Sequence, residues 1–316
     1  MTSFSTIAMQ NYLSTSMSSM NQNKLNGLLA EVDFRNYLAS LGFAERVSLG
    51  GWIARSEGAN NFGHNTVVFF PEIIEPSKDY SFNRQPPNPD YGLHTICATF
   101  HQIGIQSYFC SPTIEESDNP NSIQWKAVQL GLPVQQGYQP FPENIHGFQE
   151  RSRRYNFLRY HLDVSSIPQI SSLPEEFSKE HLRVTFQNRF MSEMSDVDGI
   201  FWGNQYTYPV EIKEKTVGND NKVGDFFGLD VGPFVKLAFY AAKRGNLHSV
   251  FVVREIDNPI ERNLLNWWII TFEQMAQFAS WNPISGGTNM RGGGSTTIKI
   301  PKSEFSPMNL ATLNSL

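Results

Sequence analysis

One stretch constrains this chain more than any other: Ser195-Asp196-Val197-Asp198-Gly199-Ile200-Phe201-Trp202, a turn at Gly203-Asn204, then Tyr208-Pro209-Val210-Glu211-Ile212-Lys213. Two apolar runs joined by a Gly-Asn turn predict a β-hairpin. Asp198 opens the first strand. Glu211 and Lys213 are two residues apart on the second, so they share a face. The hairpin therefore gathers two carboxylates and an ammonium at one end of a small sheet. Clustered carboxylates repel each other. A hard divalent cation such as Mg²⁺, with Mn²⁺ as a substitute, resolves that repulsion by taking carboxylate oxygens while keeping several waters. Asp196 competes with Asp198 for the ligand role and ranks second. Glu214 and Lys215 offer another register, set aside because they alternate to faces opposite Glu211 and Lys213. A Glu-x-Lys triplet alone also occurs in solvent-exposed, salt-bridged hairpins. Here the aspartate-glycine at the strand start, the turn, and the flanking Ile200, Val210 and Ile212 raise its weight.

Upstream, Leu25, Leu28, Leu29, Val32, Leu38 and Leu41 recur at helical spacing across Lys24–Leu41, and Gly42 is a stop signal. Residues 78–91 carry three prolines and read as a loop. Residues 93–110 read as a pair of strands, and 112–150 as irregular apart from a helix near Ser122–Leu130. Pro168 and Pro174 mark a break. Beyond Leu182, strands are expected at Asp198–Trp202, Tyr208–Lys213, Ser249–Ile256, Trp267–Ile270 and Thr297–Ile300. Helices are expected at Pro233–Arg244 and Phe272–Trp281, the latter capped by Thr271 and Gln274. Residues 1–23 carry no charged side chain and match neither a secretory nor a mitochondrial leader. They read as a frayed tail that packs only if a partner or the body of the protein covers it.

Asp198-Gly199 followed by Glu211-Ile212-Lys213 on the next strand resembles the PD-(D/E)xK nuclease superfamily, and within it the type II restriction endonucleases. Val197 stands where the family pattern has proline. The Lys24–Leu41 helix, with Gly27 and Glu31, is similar to the helix that precedes this hairpin in the family. The helix after the hairpin, with Lys236 and Tyr240, also resembles the family's order of elements. The resemblance implies that Asp198 and Glu211 are metal ligands and that Glu31 supports the metal shell. Lys213 would orient the attacking water, help to deprotonate it and offset charge on the scissile phosphate. It implies a Mg²⁺-dependent endonuclease that cleaves double-stranded DNA and leaves 5′-phosphate ends. A homodimer and a cognate DNA methyltransferase on a separate chain are also implied. The rivals are a repair or junction-resolving nuclease of the same fold, and a non-catalytic DNA-binding protein on a nuclease-like fold.

The fold class expected is α/β: a restriction-endonuclease-like mixed sheet of four to five strands flanked by helices, with a large insertion after the first helix. Residues 1–23 form the tail and 24–316 a single nuclease domain. Within it, 24–42 is the first core helix, 43–181 an insertion for DNA recognition, 182–256 the catalytic core, and 257–316 a C-terminal strand, helix, glycine-rich loop and strand.

Candidate DNA contacts outside the hairpin are Arg151, Arg153, Arg154 and Arg159, interleaved with aromatic residues, together with Lys215 and Lys236. Arg291 adds a seventh within the glycine-rich loop 286–294, which lacks the lysine of a P-loop. His94, Cys97, His101 and Cys110 match no standard zinc order. The chain carries no Gly-x-Ser-x-Gly elbow.

Composition sets the outer bounds. The 316 residues are 40% hydrophobic and 17% charged, enough for a buried core. No run approaches the roughly 18 apolar residues of a membrane span. Two cysteines are too few for a disulfide framework and suggest a reducing cytoplasm. A net charge of −5 excludes a broad basic coat for nucleic acid but leaves room for a local basic cleft.

Overall fold

The computed structural model describes every residue except 1, 19, 21, 57–65, 90, 103, 132–136, 142–144, 152–171, 242–247, 280–283 and 286–295. In chain order the elements are α1 (Thr6–Ser18), α2 (Gln22–Ser40), β1 (Val47–Ser56), β2 (Thr66–Pro71), α3 (Tyr91–Gln102), β3 (Gln106–Ile114), β4 (Ile123–Leu130), β5 (Gln139–Phe141) and β6 (Gln149–Glu150). Then follow α4 (Leu173–Arg189), β7 (Phe190–Trp202), β8 (Thr207–Lys215), β9 (Gly218–Asp220), β10 (Gly224–Asp230), α5 (Val231–Ala241), β11 (Val250–Ile256) and β12 (Leu264–Thr271). The chain closes with α6 (Phe272–Phe278), β13 (Ile284–Ser285), β14 (Thr296–Pro301), β15 (Ser306–Pro307) and α7 (Leu310–Ser315). Among the described residues no helix is long and apolar enough to cross a membrane.

The chain divides into two compact bodies interleaved in sequence. The first comprises Met1–Leu25 and Leu49–Val197, the second Asn26–Ser48 and Asp198–Leu316. Each is α/β with a mixed sheet.

In the first body the strand order is β7-β1-β2-β3-β4-β5, with β6 also paired to β7. That ladder is already wider than the four to five strands expected, because residues 47–141 supply five strands of it. Residues 1–23 are not a frayed tail. Helix α1 buries Met9, Leu13 and Met17, and Phe4 stacks on Phe177 of α4 with ring centroids 5.1 Å apart. Uncharged Ser and Thr positions hid this helix, and its packing on α4 holds it.

Three other expectations are corrected in this body. Residues 91–102 form a helix, with Leu93, Ile96, Cys97 and Phe100 buried at helical spacing. Residues 123–130 form a strand, in which Ile123, Trp125 and Ala127 turn inward. Pro174 begins α4 at a first-turn position, where its missing N–H costs nothing.

In the second body the order is β7-β8-β11-β12-β15. The hairpin pairs Gly199↔Val210 through Trp202↔Thr207, antiparallel. A Cβ at Gly203, in the turn, would clash with the Leu316 carbonyl oxygen, so this turn requires glycine. Strand β11 runs parallel to β8, from Val250↔Val210 to Glu255↔Lys215. A parallel neighbour requires a crossover, and β9, β10 and α5 provide it.

One face of this sheet packs on α2. Ala30, Phe34 and Leu38 form the helix stripe, against Val210, Ile212, Val250, Val252 and Trp267. Helix α2 stops at Gly42 (φ +83°), where the Phe43 amide returns to the Leu38 carbonyl at 2.9 Å. The opposite face is covered by α5, α6 and a second, four-stranded sheet in the order β13-β14-β10-β9. Phe227, Leu229, Leu237, Met275 and Ile300 there enclose Phe251, Val253 and Ile270. Full burial of each such side chain contributes about 1.5–3 kcal/mol.

Candidate active site

Strand alternation sorts β8 into two faces. Val210 and Ile212 turn into the core under α2, so Glu211, Lys213 and Lys215 leave on the other side. Gly199 on β7 faces Phe34 of α2, so its neighbour Asp198 points the other way. Asp198 and Glu211 are each only 2% exposed.

The polar contacts of these buried groups are specific. Asp198 Oδ2 accepts the Ile212 backbone N–H at 2.7 Å. Lys213 Nζ lies 2.6 Å from Glu211 Oε1 and 3.8 Å from Asp198 Oδ2. Lys236, from α5, places its ammonium 2.7 Å from Glu211 Oε2. Glu211 thus has one lysine on each oxygen. Lys236 is 9% exposed, a position set by its role as counter-ion to Glu211. The sequence marks it as a candidate phosphate contact, and its burial against Glu211 is the feature no sequence signal discloses.

Glu31 enters from α2, one residue past the Ala30 of the apolar stripe, and is 8% exposed. Glu31 and Asp198 offer carboxylate oxygens within 4.8 Å of each other. Asp196 stands two residues before Asp198 on β7 and leaves the strand on the same face.

The donor set fits a hard divalent ion. It is all carboxylate oxygen, buried. Two ligands on one Mg²⁺ at about 2.1 Å lie roughly 3 to 4 Å apart, which is inside the 4.8 Å that bounds the Glu31 and Asp198 oxygens. No histidine–cysteine group of metal-binding geometry is found among the described residues. Cys97 is buried, which pushes its thiol up to about 12.

Glu214 and Lys215 settle differently. Glu214 does lie on the face opposite Lys213, where it takes Arg262 Nε at 2.8 Å and Arg254 Nη1 at 3.0 Å. Arg254 also reaches Asp33 of α2 at 2.9 Å. This closed ion-pair group braces the back of the sheet. Lys215, by contrast, returns to the face of Glu211 and Lys213, since the strand period is two. Burial lowers its pKa from the ordinary lysine value, Asp230 opposes that shift and Lys213 adds to it.

The remaining candidates do not join this group. Arg151 belongs to the first body, where its amide donates to the Arg189 carbonyl at 2.8 Å. Arg153, Arg154, Arg159 and Arg291, with the glycine-rich loop 286–294, lie outside the described residues. The structure thus brings together Glu31, Asp198, Glu211, Lys213, Lys215 and Lys236 in the second body. No family model, no curated protein and no solved structure matches the chain.

Proposed function

We propose that this chain is a Mg²⁺-dependent nuclease that hydrolyses phosphodiester bonds of double-stranded DNA at a specific sequence, in the manner of a type II restriction endonuclease. The observation that carries the reading is the position of Lys213. Its ammonium bridges two buried carboxylates, 2.6 Å from Glu211 and 3.8 Å from Asp198, at the end of a hairpin that has helix α2 before it and helix α5 after it. The residue types and their order support the family resemblance drawn from the sequence.

Glu31 and Asp198 would hold the ion, with Glu211 able to join them by releasing a lysine. Bound Mg²⁺ supplies Lewis-acid stabilisation of the charge that grows on the phosphoryl oxygens. The chain's own contribution is positional and electrostatic. Asp198 is fixed by the Ile212 amide, so its second oxygen is directed without a search over rotamers. Lys213 orients the attacking water and faces the phosphate, while Glu211 holds that ammonium in place. Attack of water on phosphorus expels the 3′-oxygen, leaving a 5′-phosphate and a 3′-hydroxyl.

The test is incubation of the purified protein with phage or plasmid DNA and Mg²⁺, beside an EDTA control. Discrete, metal-dependent fragments are expected. A metal-dependent smear would move the reading to a repair or junction-resolving nuclease. Binding without cleavage of any DNA would move it to a non-catalytic DNA-binding protein.

A further inference from the structure

Three lysines share the site face of the second body: Lys213 and Lys215 on β8, and Lys236 on α5. Two of them are committed to Glu211, at 2.6 and 2.7 Å. Lys215 is not. Among the described residues no carboxylate lies within ion-pair distance of its ammonium. Its strand neighbour across the parallel ladder, Glu255, is engaged elsewhere, with Lys302 at 2.6 Å and the Trp268 indole N–H at 2.5 Å. Asp230 accepts from the Thr297 hydroxyl at 3.0 Å, and its charge raises the Lys215 pKa against the effect of burial.

A partly buried ammonium with no carboxylate in contact is costly. The cost is greater beside a second ammonium of the same sign, and an arriving anion relieves both terms at once. We infer that Lys215 binds a second phosphate of the substrate strand, the neighbour of the phosphate presented to Lys213. Two residues of strand separate their Cα atoms by about 6.6–6.8 Å, so each long side chain can serve its own phosphate. The site then reads a backbone with consecutive phosphates, and a lone phosphate is a poor ligand for it. Burial weakens the proton affinity of Lys215, and a phosphate in contact would restore it.

This inference rests on the nuclease reading, and the experiment separates the two. Calorimetric titration of the full chain, with Ca²⁺ in place of Mg²⁺, compares thymidine 3′,5′-bisphosphate with thymidine 5′-monophosphate. The same preparations are titrated with a 30-base-pair duplex across a salt series. Wild-type protein is expected to prefer the bisphosphate by about tenfold or more, the size of one charge-assisted contact. Lys215→Gln should lose that preference and lower the log–log salt slope for duplex binding by about 1, and Lys215→Arg should keep both. Thermal melting of each variant excludes a folding defect as the cause. Equal preference in wild type and Lys215→Gln, or no bisphosphate preference in wild type that still binds duplex, overturns the role of Lys215 alone. Wild-type protein that binds neither nucleotide nor duplex overturns the nuclease reading, and this inference with it.

Discussion

Lys236 Nζ sits 2.7 Å from Glu211 Oε2, and both residues are almost wholly buried. Helix α5 turns this lysine inward and leaves Val235, its sequence neighbour, 49% exposed. A helix that buries its cation and exposes its valine is organised around the carboxylate it meets.

Breaking that pair from one side should therefore be expensive. Lys236→Met is expected to lower unfolding free energy by about 2–4 kcal/mol, under the roughly 3–5 kcal/mol for stranding one partner of a buried ion pair, because Lys213 still pairs Glu211. Glu211→Gln should cost more, because it leaves two ammonium groups, one of them buried, with a single amide oxygen between them. Urea unfolding of the two variants checks the order, and a Lys236→Met loss above that of Glu211→Gln would contradict it.

Glu214 and Lys213 are adjacent in sequence yet serve opposite faces. Glu214→Ala removes the acceptor of two guanidinium groups and should destabilise the second body by roughly 2–4 kcal/mol. Lys213→Ala, which removes a side chain one-third exposed, should cost about 1 kcal/mol or less. Chemical denaturation of both variants in parallel reads the difference.

His181 supplies a pH prediction in the first body. Its Nδ1 accepts the Trp125 indole N–H at 3.0 Å, and its Nε2 lies 2.9 Å from the Pro120 carbonyl oxygen. The ring is thus held neutral, and burial pulls its pKa down to about 4, against the partial opposition of Pro120 and Glu180. The unfolded chain binds a proton near pH 6.5 that the folded chain refuses until about pH 4, so stability falls as pH drops through that window. The full difference is on the order of 3 kcal/mol. Unfolding curves between pH 4 and 7 should show this slope in wild type and a shallower one in His181→Gln.

Met9 lies fully buried in α1, a helix within the segment that reads as a tail. Met9→Ala is expected to destabilise the first body by about 2–5 kcal/mol, whereas a frayed segment would register no change. Thermal melting distinguishes these outcomes.

The hairpin, α2, β11, β12 and the capped helix α6 were legible in the sequence because each carries a local signal: apolar period, a turn glycine, a capping threonine. The Thr271 cap is present, accepting the Gln274 amide. The candidate site was legible as far as Asp198, Glu211, Lys213 and Glu31, whose clustering follows from strand alternation and one helix. What escaped lies in long-range packing. Helix α1 has no charge pattern to announce it and exists against Phe177. Segment 91–102 holds enough apolar residues to satisfy either period, and burial of Cys97 beside Phe100 selects the helix. The pairing of Lys236 with Glu211 needs the fold of the crossover, which no local pattern encodes.

Whether this hairpin site hydrolyses DNA is decided by cleavage with the Lys213→Ala and Asp198→Asn variants. Both would be assayed on the same phage DNA and Mg²⁺ as wild type, with their melting curves recorded. Wild type should yield metal-dependent fragments with 5′-phosphate ends, and neither folded variant should yield any. Full cleavage by either variant, or wild-type cleavage that persists in EDTA, would contradict that expectation.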